Sequence, residues 1–163
     1  DILDFSRLEA GTIDFQIKDI NLSHLFESAY SLFLEIKKEK EIEIKCELPD
    51  TPCIIKSDYN RLLQILTNFV INAFKYTEHG YVKMSYRSED GGVKLMVEDT
   101  GVGIPQEKIK LVFHRFEKIG SMRQGTGLGL SICKAIVEQF NGEIGVQSEC
   151  GKGSIFWVWL PVR

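Results

Sequence analysis

The stretch Asp99-Thr-Gly101-Val-Gly103, followed after a short polar segment by Gly125-Thr-Gly127-Leu-Gly129-Leu130, carries most of the information in this chain of 163 residues. Glycine has no Cβ and adopts positive φ angles, so a glycine-rich backbone can approach a ligand closely. Ten of the 14 glycines lie between Gly101 and Gly153, a density greater than turns alone require. The spacing predicts two glycine loops around a nucleotide, with a movable cover between them.

A helix is predicted upstream of the first loop, beginning after an Asp58 cap and ending at Gly80. Four polar residues of this helix, which follow one another at steps of four, four and three, form one stripe on an otherwise mostly apolar helix. Solvated helix faces favour Glu, Lys and Arg, whereas this stripe contains two asparagines, which are poor helix formers. Amides one turn apart, followed by a lysine, can coordinate a hard cation and contact phosphate oxygens. The stripe consists of Gln64, Asn68, Asn72 and Lys75.

Together these segments resemble the catalytic ATP-binding domain of sensor histidine kinases, in the superfamily that also includes DNA gyrase B, the Hsp90 chaperones and the MutL mismatch-repair proteins. The resemblance covers nearly the whole chain and implies ATP and Mg²⁺ as ligands. In order, residues 68–77 match the family's N box, 99–104 its first glycine box, 113–116 its F box, 125–130 its second glycine box and 151–156 a third.

The adenine side of the expected pocket centres on Asp99. The alternating run 93–97 places this residue where a strand ends, a usual location for a ligand site. The resemblance implies that its carboxylate accepts a hydrogen bond from the exocyclic amine of adenine, so a guanine carbonyl would be rejected. By the same resemblance, this side also contains Gly101, Gly103 and Ile104, and Ser154 supports the adenine through water. Tyr76 is expected to contact a phosphate or the ribose.

The phosphate side of the expected pocket is the second glycine box, which precedes a predicted helix over 130–140. Free N–H groups at its N-terminus would face anionic oxygens. Gly129 is followed by Leu-Ser, so this is not a Walker A loop. The expected phosphate-binding residues are Gly125, Thr126, Gly127, Leu128, Gly129 and Leu130.

The polar segment 117–124 resembles the family's ATP lid. Its Lys118 and Arg123 fit two interpretations, a lid that reaches the triphosphate or a solvated loop. Phe113 and Phe116 are expected to anchor this segment to the core.

The resemblance makes Asn72 the expected magnesium ligand, and one amide suffices because Mg²⁺ retains several waters and binds substrate phosphates. Asn68 stands where the ATP-hydrolysing relatives typically carry glutamate. An amide cannot accept a proton from water, so Asn68 favours phosphoryl transfer to a nucleophile over fast hydrolysis. Lys75 is the expected contact of the γ-phosphate, and the predicted catalytic residues are therefore Asn68, Asn72 and Lys75.

The phosphoacceptor is expected to lie outside this sequence. His24, His79 and His114 lack the acidic residue and proline that generally follow the family's phosphorylated histidine. Residues 1–11 resemble the end of the second helix of the dimerisation and phosphoacceptor hairpin, and 12–163 the catalytic domain. The chain is thus expected to be a monomeric piece of a homodimeric parent kinase, which would pass the phosphoryl group to the receiver domain of a response regulator.

Composition excludes several other classes. A net charge of −3 provides no basic field for nucleic acid, and the longest apolar stretch, 155–160, is too short to span a bilayer. The four cysteines show no metal-ligand spacing, which indicates reduced thiols and a cytoplasmic location. The resemblance alone allows the parent kinase to be an integral membrane receptor with this domain on its cytoplasmic side.

The expected fold is a two-layer α/β sandwich of the Bergerat type, a mixed sheet with three main helices on one face. Two alternative functions remain: an ATPase clamp like those of the chaperones, and a catalytically silent nucleotide-binding or docking module. Strands are predicted at 13–20, 42–47, 53–56, 81–87, 93–98, 143–148 and 154–160, with helices at 22–37, upstream of Gly80, after Pro105 and at 130–140.

Overall fold

The computed structural model describes residues 6–7, 10–11, 14–37, 40–114 and 129–162. Within the predicted leading helix, residues 6, 7 and 10 are helical. The elements that follow are, in chain order, β1 (Lys18–Asn21), α1 (Leu22–Ile36), β2 (Ile42–Glu47), β3 (Ile54–Ser57), α2 (Tyr59–Tyr76), β4 (Gly80–Glu89), β5 (Gly92–Asp99), α3 (Gln106–Ile109), α4 (Gly129–Gln139), β6 (Glu143–Glu149) and β7 (Gly153–Pro161).

The main sheet is mixed and has five strands in the order β2-β4-β5-β7-β6. Strands β2 and β4 run parallel, and the other neighbouring pairs are antiparallel. The short strands β1 and β3 pair with each other in a separate two-stranded sheet, whereas the sequence predicts a single mixed sheet. In the described part of the chain, β3 pairs with β1 and with no strand of the main sheet, and α1 begins directly after β1.

One face of the main sheet forms the hydrophobic core with the helices. Side chains alternate between buried and partly exposed positions along β5 and β7, as expected for a sheet covered on one side. Helix α2 packs against α1, α4 and β5, so it lies at the centre of the helical layer. This arrangement confirms the predicted α/β two-layer class.

Helix α2 begins where the sequence predicts it but ends earlier. The Asp58 carboxylate accepts a hydrogen bond from the Arg61 N–H at 3.2 Å, which caps the first turn. The helix ends at Tyr76 because Thr77 is extended (φ −114°, ψ 119°), so the prediction that Gly80 stops it is wrong. Gly80 instead opens β4 at φ +108°, where a Cβ would overlap the Thr100 hydroxyl.

The first strand is shorter than predicted, since residues 14–17 are irregular and β1 spans Lys18–Asn21. The N–H of Gln16 donates to the Asp58 carboxylate at 2.9 Å, so it serves the cap of α2 instead of a strand ladder. Phe15 packs against the ring of Phe140 with a centroid separation of 5.0 Å.

The predicted turns are confirmed. The hairpin of β4 and β5 turns at Asp90 and Gly91, which both have positive φ (50° and 74°), the pattern of a type I′ turn. Helix α4 is followed by Asn141 at φ 58°, and the Gly142 N–H returns to the Val137 carbonyl at 2.9 Å. Within the described ranges, every helix is too short or too polar to cross a bilayer.

Candidate functional site

A cavity lies where the end of β5 and the start of β7 meet α2. Sequence analysis named six of its seven lining residues as site residues, and the structure brings them together from four separate segments. The seventh, Phe156, contacts the rings of Phe69 and Phe113 at centroid distances of 5.5 and 6.2 Å. The lining residues are Asn72, Tyr76, Asp99, Gly103, Ile104, Ser154 and Phe156.

Asp99 supplies the one carboxylate among these lining residues. It is the last residue of β5, pairs with Ser154 across the sheet and is 5% exposed. Burial raises the pKa of its carboxyl group, and backbone hydrogen bonds from Gly101 and Ser154 act in the opposite direction. The Gly101 N–H donates to Oδ1 at 2.9 Å. A buried acceptor held in this way suits a ligand that presents an N–H group to it.

The two glycines of the first glycine loop pack too closely against their neighbours to carry a Cβ. A Cβ on Gly101 would overlap the carbonyl oxygen of Tyr76 and lie 2.9 Å from Asp99 Oδ1. Gly103 has a φ of +75°, and a Cβ there would overlap the carbonyl of Glu149. The loop is therefore pressed against the end of α2 on one side and the β6–β7 turn on the other.

We expect Gly101→Ala to destabilise the fold by about 1–3 kcal/mol, the usual cost of overpacking, and to weaken adenine nucleotide binding at least about ten-fold. The added methyl group pushes the loop away from Tyr76 and breaks the N–H bond to Asp99. Thermal unfolding and calorimetric titration with ADP measure both effects. Gly91→Ala is the matched control: nothing lies within 4 Å of its Cβ, so it adds φ strain without touching the cavity. Equal affinity in both variants would contradict a role for the loop in binding.

Ser148 joins the first glycine loop to β7, a role that sequence analysis missed. Its Oγ accepts from the Ile104 N–H at 2.7 Å and donates to the Gly153 carbonyl at 2.9 Å. Its one proton is thereby used, so Ser154 is the donor in the 2.7 Å bond between the two hydroxyl groups. Ser148 and Ser154 are paired in the β6–β7 register, and the predicted hairpin was the signal that could have identified Ser148.

On the phosphate side, Asn68 lies against the first turns of α4. Its Nδ2 is 3.6 Å from Cys133 Sγ, and a Cβ on Gly129 would lie 3.0 Å from its Oδ1. Burial raises the pKa of the Cys133 thiol to about 12, so the sulfur is an uncharged neighbour at neutral pH. Asn68 therefore faces the N-terminus of α4, where free N–H groups favour anions.

Part of the predicted phosphate side falls outside the described residues: Lys118, Arg123, Gly125, Thr126, Gly127 and Leu128, together with the lid segment 117–124 and Phe116. Gly129 and Leu130 are the first two residues of α4. Phe113 packs against the core, and its predicted anchoring of the lid stays a prediction.

The polar stripe of α2 does not act as one unit. Gln64 accepts from Arg61 at 2.9 Å and lies outside the cavity lining, whereas Asn72 and Tyr76 line it. Lys75 is half-buried in the last turn of the helix. In the part of the chain that the structure describes, no three His, Cys, Asp or Glu side chains form a metal cluster. The Asn72 amide is a hard oxygen donor at the cavity, and this donor type fits Mg²⁺ held largely by phosphates and water.

The chain is similar to known proteins. The model of the family described as "Histidine kinase-, DNA gyrase B-, and HSP90-like ATPase" matches residues 57–163. The chain is 37% identical over 175 residues to the autoinducer 2 sensor kinase/phosphatase LuxQ of Vibrio vulnificus (strain YJ016), covering 100% of this chain and 20% of that protein. It is 33% identical over 167 residues to the sensor histidine kinase RcsC of Escherichia coli (strain K12), covering 99% of this chain and 18% of that protein.

A solved structure, that of full-length ShkA in complex with AMPPNP, superimposes with a TM-score of 0.91 at 33% identity. The match covers 99% of this chain and 34% of that one. The chain thus spans about a fifth of the length of the curated relatives it matches.

Proposed function

The chain belongs to the family of histidine kinase-, DNA gyrase B- and HSP90-like ATPases, and we propose that it is the ATP-binding catalytic domain of a sensor histidine kinase. In this proposal it transfers the γ-phosphoryl group of ATP to a histidine on a separate helical hairpin. The observation that carries the proposal is the cavity that Asp99 and Asn72 line together. A buried acceptor for adenine and an amide for a phosphate-bound cation then belong to one pocket.

The proposed roles on the adenine side rest on the contacts of the cavity. The Asp99 carboxylate accepts a hydrogen bond from the exocyclic amine of adenine. The backbone N–H groups of Gly101 and Ser154 also donate to this carboxylate and hold it in place. Gly103 and Ile104 line the same space, and Tyr76 contacts the ribose or a phosphate. The pocket excludes guanine because a carbonyl at the position of the amine would face another acceptor.

On the phosphate side we assign the cation to Asn72, the γ-phosphate contact to Lys75, and further phosphate contacts to Gly129 and Leu130. When bound, Mg²⁺ would neutralise charge on the phosphate oxygens during transfer. The proposal includes phosphate contacts from residues outside the described ranges. These residues are Lys118 and Arg123 of the lid and 125–128 of the second glycine box.

Asn68 determines the reaction class in this proposal. Its amide cannot take a proton from water, so hydrolysis lacks a general base at this position. A neutral imidazole is already nucleophilic: its nitrogen forms the bond to the γ-phosphorus, the bond to the bridging oxygen breaks, and ADP leaves as the imidazole N–H proton passes to solvent. The proposed reaction is therefore transfer to histidine.

The proposed acceptor belongs to a hairpin of the parent protein. We assign residues 1–11 to the tail of that hairpin and 12–163 to the catalytic domain. The proposal includes a monomeric catalytic piece, a homodimeric parent, a response-regulator receiver domain as the next acceptor, and a cytoplasmic location, where ATP is available.

The experiment that tests the proposed function combines the chain with Mg²⁺, γ-labelled ATP and helical hairpins taken from several histidine kinase relatives. We expect label on the hairpin that is stable in alkali and labile in acid, as expected of a phosphorus–nitrogen bond, and none on a hairpin without its histidine. Rapid phosphate release that ignores the hairpin would instead indicate an ATPase clamp. Nucleotide binding without transfer or hydrolysis would indicate a docking module.

We expect the affinity for ADP to decrease as the pH is lowered from neutrality, because the raised pKa of Asp99 brings its protonation closer to neutral pH than for an ordinary aspartate. Protonation removes the charge that attracts the adenine amine. Calorimetry over a pH series, with Asp99→Asn measured alongside, isolates this group because the nucleotide titrates identically in both proteins. A ratio of affinities that stays constant with pH would contradict the prediction.

A further inference from the structure

Two hydroxyl oxygens, those of Ser57 and Thr77, are buried without a hydrogen-bond partner in the described part of the chain. Thr77 is 0% exposed. An unsatisfied buried hydroxyl costs about 1–3 kcal/mol, and valine would occupy the same space without that cost. The hydroxyl of Thr77 is therefore a donor placed beside the functional site at the expense of stability.

The position of Thr77 links it to the adenine side of the cavity. It directly follows the last residue of α2, and its extended backbone ends the helix next to the first glycine loop. Thr77 Oγ1 and Asp99 Oδ1 each lie 2.9 Å from the point that a Cβ on residue 101 would occupy. The hydroxyl and the carboxylate thus border the same small space beside Gly101, together with the carbonyl oxygen of Tyr76.

The hydrogen bonds of Asp99 leave room for this donor. A carboxylate offers about four lone-pair positions. Backbone N–H groups of Gly101 and Ser154 use two of them, and the proposed adenine amine uses a third. One position remains, and the Thr77 hydroxyl is a buried side-chain donor on the same side of Gly101 as Oδ1.

We propose that Thr77 is a positioning residue of the adenine subsite: its hydroxyl donates to Asp99 Oδ1, directly or across one water, when nucleotide is bound. The bond fixes the carboxylate in the orientation that accepts the exocyclic amine. This inference rests on the proposed function only in taking an adenine nucleotide as the ligand. It does not depend on where the phosphoryl group goes.

The test compares Thr77→Val, which keeps the shape and removes the hydroxyl, with Thr77→Ser, which keeps the hydroxyl. We expect the valine variant to unfold at the wild-type temperature or above, because it removes an unpartnered buried group, and to bind ADP about ten-fold more weakly, the loss expected for one hydrogen bond to a charged group. The serine variant should stay within about two-fold of wild type, because its donor persists.

Ser57→Ala is the matched control, since it removes the other unpartnered hydroxyl of the described residues, which belongs to β3 in the separate two-stranded sheet. We expect it to change the unfolding temperature as the valine variant does and to leave ADP affinity unchanged. The pH profile adds a readout that packing alone would not change. Because the Thr77 donor acts only in the complex, its loss raises the pKa of Asp99 in the complex and not in the free chain, so the decline in ADP affinity with falling pH should become smaller.

Wild-type ADP affinity in Thr77→Val would overturn the inference, and Thr77→Ala serves the same purpose if the valine variant does not fold. Equal losses in the serine and valine variants would also overturn it, because the hydroxyl would then be irrelevant. A wild-type chain that binds ADP but transfers no phosphoryl group would refute the proposed function and leave this inference standing. A chain that binds no adenine nucleotide would refute both.

Discussion

Asp99→Asn is expected to weaken adenine nucleotide binding by roughly 100-fold, an effect near 3 kcal/mol at the upper end for a hydrogen bond to a charged group. The carboxylate lines the cavity and accepts from Gly101 and Ser154. An amide has one acceptor oxygen in place of two, so the two backbone donors and the ligand compete for it. Its NH₂ group would face the adenine amine, donor against donor.

The same substitution should leave the folded state at least as stable at neutral pH. The pKa of Asp99 is raised, so the folded chain holds this proton more tightly than the unfolded chain. The contribution of the group to the free energy of unfolding therefore falls as the pH rises from the ordinary pKa through the raised one. At neutral pH that contribution is unfavourable, and the uncharged asparagine removes it.

Calorimetric titration with ADP, ATP analogue and GTP, beside thermal unfolding, measures both consequences. We expect affinity for the adenine nucleotides to fall while the unfolding temperature holds, and the preference for ATP over GTP to shrink because the amide can donate to a guanine carbonyl. Unchanged ADP affinity in the folded variant would remove Asp99 from the pocket. A lower unfolding temperature would show that its carboxylate supports the fold more than burial opposes it.

Local signals predict where some site residues lie along the chain. Helical spacing puts Asn72 on a polar stripe and an alternating strand ends at Asp99, whereas the binding roles of these residues and of Tyr76 come from the family resemblance. The structure places all three on one cavity. The end of α2 was predicted wrongly because Gly80 is a strong local stop signal, whereas the helix ends where Thr77 turns extended toward the glycine loop. The glycine loop against which the end of the helix packs lies more than twenty residues further along the chain. No local sequence pattern therefore shows that the helix must end at Tyr76.

Ser148 and Thr77 were missed for the same physical reason. Each is an ordinary polar residue. The bond of Ser148 to the Ile104 N–H, and the role that we propose for Thr77 beside Gly101, depend on groups that are distant in sequence and close in space. The register of β6 and β7 pairs Ser148 with Ser154, but the importance of that pair appears only when the first glycine loop packs across it. Tertiary contacts therefore decide which polar residues have a role, because the local sequence pattern does not distinguish them from other polar residues.

Asn72→Ala is the second large effect, a loss of Mg²⁺-dependent nucleotide binding and at least about a thousand-fold loss of phosphoryl transfer, as expected when a preorganised charge-stabilising group is removed. Asn72 lies one turn before Tyr76 and lines the cavity with Asp99. Its amide oxygen is a ligand of the kind Mg²⁺ accepts, and without it the ion relies on phosphates and water. The fold should persist, because Asn72 is only half-buried and α2 is held by its apolar faces.

The measurement titrates an ATP analogue with and without Mg²⁺ into wild type, Asn72→Ala and Gln64→Ala. Gln64 is the matched control, an amide of the same helix that bonds Arg61 and lies outside the cavity lining. A metal ligand and a residue that merely shapes the pocket differ in one respect. Loss of a ligand removes the gain in affinity that Mg²⁺ provides and leaves Mg²⁺-free binding intact, whereas loss of shape weakens both equally. Normal phosphoryl transfer by Asn72→Ala would contradict the assignment of the cation to this residue.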